Sequence, residues 1–312
     1  MMKNKSYAAE RRNTFIGNLI FDAIIAITLA FVVIVTVYPF WNTIAISFND
    51  GLDSIKGGIK FWPRKFTLKN YSALFQTNYI FKAGIISVTR TILQTVFSVF
   101  CTAMLAYALS RKEYPLRRVL TTILVISMYV NAGLIPGYML IKRLGMLNTY
   151  AVYIIPNLVD IFNFILIRTY INGLPDSFVE SARIDGANEF KIFTSIIMPL
   201  IVPSIAMISL FVAVGAWNSW FDTYLYTSSK KNLHSLQYVL MSYLQASQSQ
   251  SKSASDAGSA AIAASSGAAA AQVTPIAIRS SITMIATVPI LIVYPFVQKY
   301  FVVGMTIGGV KE

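Results

Sequence analysis

Histidine and cysteine are nearly missing from this 312-residue chain, which has one of each, His234 and Cys101. A disulfide needs two cysteines, and a metal cluster or histidine-based triad needs converging groups that one His and one Cys do not supply. Charge is scarce as well. Only 12% of residues are charged, against about 25% in a soluble globular domain, which points to lipid as the surrounding solvent. The chain also lacks G-x4-G-K-[ST], the loop whose backbone amides cradle nucleotide phosphates. It is therefore not expected to hydrolyse ATP itself.

What is abundant is apolar sequence: 55% of residues are hydrophobic and mean hydropathy is +0.60. The 26 Lys and Arg outnumber the 13 Asp and Glu. In a membrane protein such an excess gathers at cytoplasmic ends and lipid headgroups, so no nucleic-acid partner is expected. A bilayer core of about 30 Å needs roughly 20 apolar residues per helix. Six stretches meet this need, at about 15–38, 82–109, 116–141, 151–171, 200–217 and 276–301. Pro39 and Trp41 close the first, and "NAGLIPG" from Asn131 interrupts the third. The first run is too long for a cleaved signal peptide and no small-x-small site follows it.

The expectation is an all-α membrane protein with six transmembrane helices and both termini on one side. Lys3, Lys5, Arg11 and Arg12 precede the first span, and Arg111, Lys112, Arg117 and Arg118 fill the turn after the second. That side is expected to be cytoplasmic. Lys56, Lys60, Arg64, Lys65 and Lys69 in the first outer loop run against the rule. That loop, with glycine turns and aromatic anchors, is expected to fold against the membrane surface. The Ala/Ser/Gln-rich stretch 245–272 lacks the large apolar residues of a span. It reads either as an outer loop reaching a partner or as a tolerated insertion.

Between spans four and five lies "ESARIDGANEFKIFTSIIMPL", residues Glu180 to Leu200. Pro175 suits a pre-helix position, and Ser177 with Glu180 spells an S-x-x-E capping box. Phe178, Val179 and Ala182 make an apolar face, and Gly186 is placed to end the helix in a left-handed turn. Asn188 can cap a second helix whose Phe190, Phe193, Ile196 and Ile197 recur at helical spacing. Exposed apolar residues on such a pair suit either a protein groove or the lipid interface.

The spacing E-S-A-x3-G-x9-I-x-M-P, from Glu180 to Pro199, resembles the EAA loop of ABC-importer permeases, usually E-A-A-x3-G-x9-I-x-L-P. Ser181 and Met198 are the two departures. "FWPRKFTLKNYSALF", "AYALSRKEYPLRR", "LIRTYINGLPDSFVESARIDGA", "WNSWFD" and "YFVVGMTIGGVKE" resemble the carbohydrate-uptake branch, in particular the smaller, maltose-type permease and its LplC-like relatives. They also resemble the second permease of an alginate importer. The resemblance covers nearly the full length; the Ala/Ser-rich stretch departs from it.

The resemblance implies a type I ABC-importer permease fold. It divides the chain into a cytoplasmic tail (1–14), a first span with its outer loop (15–80), a five-helix core (81–302) with its coupling loop (175–199), and a cytoplasmic tail (303–312). It implies a second permease subunit, two ATPase subunits carrying ATP and Mg, an extracytoplasmic sugar-binding protein and an oligosaccharide cargo, acidic sugars such as alginate included. This chain would bind no cofactor or metal and catalyse nothing itself. Glu180, Ser181, Ala182, Gly186, Phe190, Phe193 and Pro199 would dock the ATPase, with further contacts from Gly308, Gly309 and Lys311 in the tail. Glu180 would either cap its helix or pair with a basic residue across the interface.

Polar residues inside spans are costly in lipid and mark candidate pathways. Here these are Asn157, Asp160 and Asn163 in span four, Tyr129 and Asn131 in span three, and Trp217 and Asn218, beside Trp220, at the end of span five. Amides and carboxylates bond sugar hydroxyls, and aromatic faces stack on sugar rings. Bonding between helices, or anchoring at the interface, is the competing reading for each. Arg90 and Arg279 would either favour an acidic sugar or pair with Asp160 or Asp22. A permease for another solute, or a channel or secondary transporter, is the rival class. No repeated motif between the halves supports the latter.

Overall fold

The computed structural model describes residues 2–76, 78–130, 132–253 and 274–307. Helices dominate; among the described residues the only β feature is an isolated bridge between Asn49 and Phe66. The chain divides into two compact units, residues 1–73 with 260–284, and 74–259 with 285–312.

In the first unit, helix α1 (Met2–Ser47) continues through Pro39 instead of ending there. A proline inside a helix forfeits a hydrogen bond, a loss that membrane helices tolerate when neighbouring groups take up the freed backbone. Trp41, expected to help close the helix, instead anchors the following loop together with its neighbour Asn42. Trp41 Nε1 donates to the Phe61 carbonyl at 2.8 Å, and Asn42 Nδ2 to that of Ile59 at 2.6 Å. The basic loop that follows α1 is thus folded onto its end. Asp53 pairs there with Arg64 at 2.9 Å, and Asn70 ties the Ser47 and Asn49 carbonyls. The Asn49 amide and Arg64 hold the Asp53 carboxyl below its usual range.

The second unit is built on α2 (Asn78–Ser110). Ala103 and Ala106, fully buried, let neighbouring helices approach closely, the small-residue device of membrane interfaces. Helices α5 (Ile161–Asn172) and α8 (Val202–Asn218) pack on it. The third stretch breaks as expected, into α3 (Arg117–Tyr129) and α4 (Leu134–Arg143), with Gly133 at φ +88° between them. Asn131 lies outside the described residues.

The fourth stretch is not one helix. Two 3-10 turns, Tyr150–Tyr153 and Ile155–Asn157, meet α5 at a 46° bend. The break falls at Asp160, whose carboxylate caps α5 by accepting from the Asn163 amide at 2.8 Å.

Next come α6 (Ser177–Ile184) and α7 (Glu189–Leu200), and α7 meets α8 at 84°. Within α7 the segment Phe193–Ile197 is π-helical, a local widening that recurs at functional positions. Helices α9 (Leu236–Ser253) and α10 (Pro275–Ile307) are the last two in the described chain.

The expectation of six spans, the third of them interrupted, is therefore met only in part. Among the described residues two helices, Phe21–Ser47 and Asn78–Ser110, are long and apolar enough to cross a bilayer, or up to four if each bent pair is one span. α10 holds a shorter apolar stretch, Ile276–Ile292. The break at Gly133 divides the third stretch, the bend at Asp160 divides the fourth, and the fifth is a helix of 17 residues. The Ala/Ser-rich stretch begins as the end of α9, and its residues 254–272 lie outside the described residues, as do Gly308, Gly309 and Lys311.

Candidate functional site

The first site is the α6–α7 pair. Gly186 adopts φ +77°, with the Ala187 amide reaching the Ala182 carbonyl at 2.9 Å and its own amide reaching that of Arg183 at 3.0 Å. This is the Schellman closure that favours glycine. Asn188 caps α7 by accepting from the Lys191 amide at 2.8 Å. The expected S-x-x-E box does not form. Asp176 holds the cap position, Ser177 is already helical, and no side chain caps α6. The Asp176 carboxylate is instead taken by Lys112 at 2.6 Å, which holds its pKa below the usual range.

The pair has two apolar sides. Underneath, Val179, Ala182, Ile192 and Phe193 are buried against α2 and α5, with the Phe193 ring 5.6 Å from Tyr107 and 5.7 Å from Phe100. Ala182 and Phe193, expected among the docking residues, therefore hold the pair to its own chain. On the outer side Phe178, Ile184 and Phe190 are exposed, Ile184 by 87%. Glu180, Ser181, Gly186 and Pro199 are exposed too. Sequence reasoning does not single out Ile184; its place inside the E-S-A-x3-G spacing is the signal that could have found it.

One edge of the pair carries a charge network. Arg183 donates to Glu113 at 2.6 Å and to Glu189 at 2.8 Å. The buried Tyr107 hydroxyl donates to the other Glu189 oxygen at 2.6 Å, and the Arg111 guanidinium lies 4.9 Å over the Tyr107 ring. Glu113 and Glu189 push the Arg183 pKa up, and Arg183 pulls that of Glu113 down. A groove of about 460 Å³ runs beside this network, lined by Met104, Tyr114, Phe190 and the charged residues.

The second site is a polar cavity of about 810 Å³ in the wall formed by α2, α5 and α8. It collects Asn157, Asp160 and Asn163 despite the helix break, together with Gln94, Ser98, Ser219 and Tyr226. Arg90 is its cation, and its partner is Asp222, neither of the two acidic residues, Asp160 and Asp22, that the sequence offered. Nη2 meets Oδ2 at 2.8 Å and Nη1 meets Oδ1 at 3.3 Å. The guanidinium also lies 4.5 Å over the Tyr153 ring, whose hydroxyl bonds Thr223, Thr227 and the Leu233 carbonyl. The remaining residues named from sequence sit elsewhere. Trp217 donates to the Ala286 carbonyl at 2.9 Å and lines a separate apolar groove with Pro289. Asn218 is exposed and accepts from Gln237 at 3.0 Å, Tyr129 is 81% exposed at the end of α3, and Arg279 is exposed.

Residues 92–306, from α2 to α10, match the family described as binding-protein-dependent transport system inner membrane component. The chain belongs to that family. It is 34% identical to the polygalacturonan/rhamnogalacturonan transport system permease protein YtcP of Bacillus subtilis over 94% of this chain and 99% of that one. It is equally 34% identical to protein LplC of the same organism over 96% and 97%. A chain from the crystal structure of a bacterial ABC transporter involved in import of the acidic polysaccharide alginate superposes with a TM-score of 0.78. It is 25% identical, covering 91% of this chain and 98% of that one. The permease resemblance read from the sequence is borne out. As a member of this family the chain is an inner-membrane transport subunit.

Proposed function

We propose that this chain is one permease half of an ABC importer that moves an oligosaccharide into the cytoplasm by alternating access. A second permease completes the pathway, two ATPase subunits bind and hydrolyse ATP with Mg, and an extracytoplasmic binding protein delivers the sugar. The observation that carries this reading is the α6–α7 pair. It keeps the E-S-A-x3-G-x9-I-x-M-P spacing, turns 84° away from α8, and leaves Phe178, Ile184 and Phe190 without cover. A rigid helix pair with an apolar outer face suits a groove in a partner. The pair and both termini would face the cytoplasm.

Sugar as cargo draws on the relatives' names and on the cavity. Asn157, Asn163, Gln94 and Ser98 offer the amides and hydroxyls that bond a polyol. Arg90 is already neutralised by Asp222, so this wall offers hydrogen bonds rather than a free cation. An acidic cargo would then find its countercharge elsewhere in the complex.

The test is purification of the assembled complex. Glu180→Lys and Gly186→Pro should lose the ATPase subunits while the two permeases stay together. ATPase retention with unimpaired ATP-driven uptake in Gly186→Pro would reject the reading.

A further inference from the structure

The charge network on the edge of the helix pair has a geometry that docking alone does not require. α7 touches α2 through apolar rings, and hydrophobic contact is non-directional, so by itself it ties the pair to no particular residue of α2. The network is directional. Arg183 on α6 reaches Glu113, just beyond the end of α2, at 2.6 Å and Glu189 at the start of α7 at 2.8 Å. The Tyr107 hydroxyl, projecting from α2 itself, closes the loop on Glu189 at 2.6 Å. Three elements are thus held in one register by two carboxylates, one guanidinium and one buried phenol.

We propose that Arg183 is a positioning residue of the transport stroke: it makes α2 follow the docking pair, and α2 carries that motion to Arg90 in the cavity wall. This rests on the coupling role proposed above. α2 is unbroken from Tyr107 to Arg90, about 25 Å at 1.5 Å per residue. At the far end Arg90 holds Asp222, beyond α8, at 2.8 Å. One rigid rod therefore links the ATPase-facing pair to the two sides of the cavity. Exposed ion pairs contribute little stability, so losing the Arg183 bridge should alter register and leave assembly intact.

The test uses the full complex in liposomes, with its ATPase subunits and its binding protein loaded with oligogalacturonate. The reading is the fold-stimulation of ATP hydrolysis on adding the loaded binding protein. Arg183→Gln should keep the ATPase bound yet lose stimulation about fivefold, Tyr107→Phe about twofold, and Arg183→Lys should fall between wild type and Arg183→Gln. Wild-type stimulation in Arg183→Gln and Tyr107→Phe, with ATPase bound, would overturn the inference. Should Arg183→Gln fail to assemble, Tyr107→Phe decides, since it keeps the buried ring and removes only the bond to Glu189. Absence of ATPase from the unmodified complex would instead reject the coupling reading itself.

Discussion

Arg90 and Asp222 form an ion pair at 2.8 Å in which the arginine side chain is 1% exposed. A charge so placed in a membrane protein depends chiefly on its ionic partner, with the Tyr153 ring as a lesser support. Removing the partner leaves it uncompensated. Asp222→Asn should destabilise the protein by about 3 kcal/mol, seen as a lower melting temperature of the purified complex. Replacing both, as Arg90→Met with Asp222→Leu, should recover most of that loss, because no unpaired charge remains.

Gly186 sits at φ +77°, and the space a Cβ would enter is open, with no atom within 4 Å, so a substitution there meets backbone strain and no clash. Gly186→Ala should cost about 1–2 kcal/mol, and Gly186→Asn less, since asparagine tolerates the left-handed region. Gly186→Val should be the worst of the three. ATPase retention on purification should fall in the order Asn, Ala, Val.

Acid should loosen the edge network and base should not. The Glu113 pKa is lowered by Arg183, and that of Asp176, in the neighbouring pair with Lys112, is lowered as well, so both contributions are complete above the ordinary carboxylate range and are lost as pH falls through the lowered values. Arg183 is raised, so its share persists until strongly basic pH. Spin labels at exposed Ser181 and Arg118 should give one narrow distance from roughly pH 6 to pH 9 and a broader distribution below roughly pH 4.

Trp217 and Asn163 separate the two kinds of polar residue in the spans. Trp217→Phe should cost about 1 kcal/mol for its lost bond to the Ala286 carbonyl, with substrate affinity in uptake assays unchanged. Asn163 is buried in the cavity wall. Asn163→Leu should lower oligosaccharide uptake several-fold while the ATPase stays bound.

Much of the fold and of the docking pair is legible in sequence because local rules decide it. The glycine turn at Gly186, the Asn188 cap and the break near Gly133 are written in single residues. Asn157, Asp160 and Asn163 do lie together, but for a reason that helical spacing does not supply. They are not successive turns of one helix, and the cavity gathers them because Asp160 ends one segment and caps the next. The Arg90–Asp222 and Arg183–Glu113 pairs join residues far apart in sequence, which periodicity does not relate. Phe190 and Phe193 look alike in sequence. Only packing against Tyr107 and Phe100 shows that Phe193 belongs to the core and Phe190 to the surface.

The central claim is that the outer face of the α6–α7 pair seats an ATPase subunit. A photo-activated crosslinking residue placed at Ile184 tests it most directly. The account predicts a covalent adduct with the ATPase from Ile184, which is 87% exposed, and none from buried Ile192. An assembled, transporting complex that yields no ATPase adduct from Ile184, Phe178 or Phe190 would contradict it.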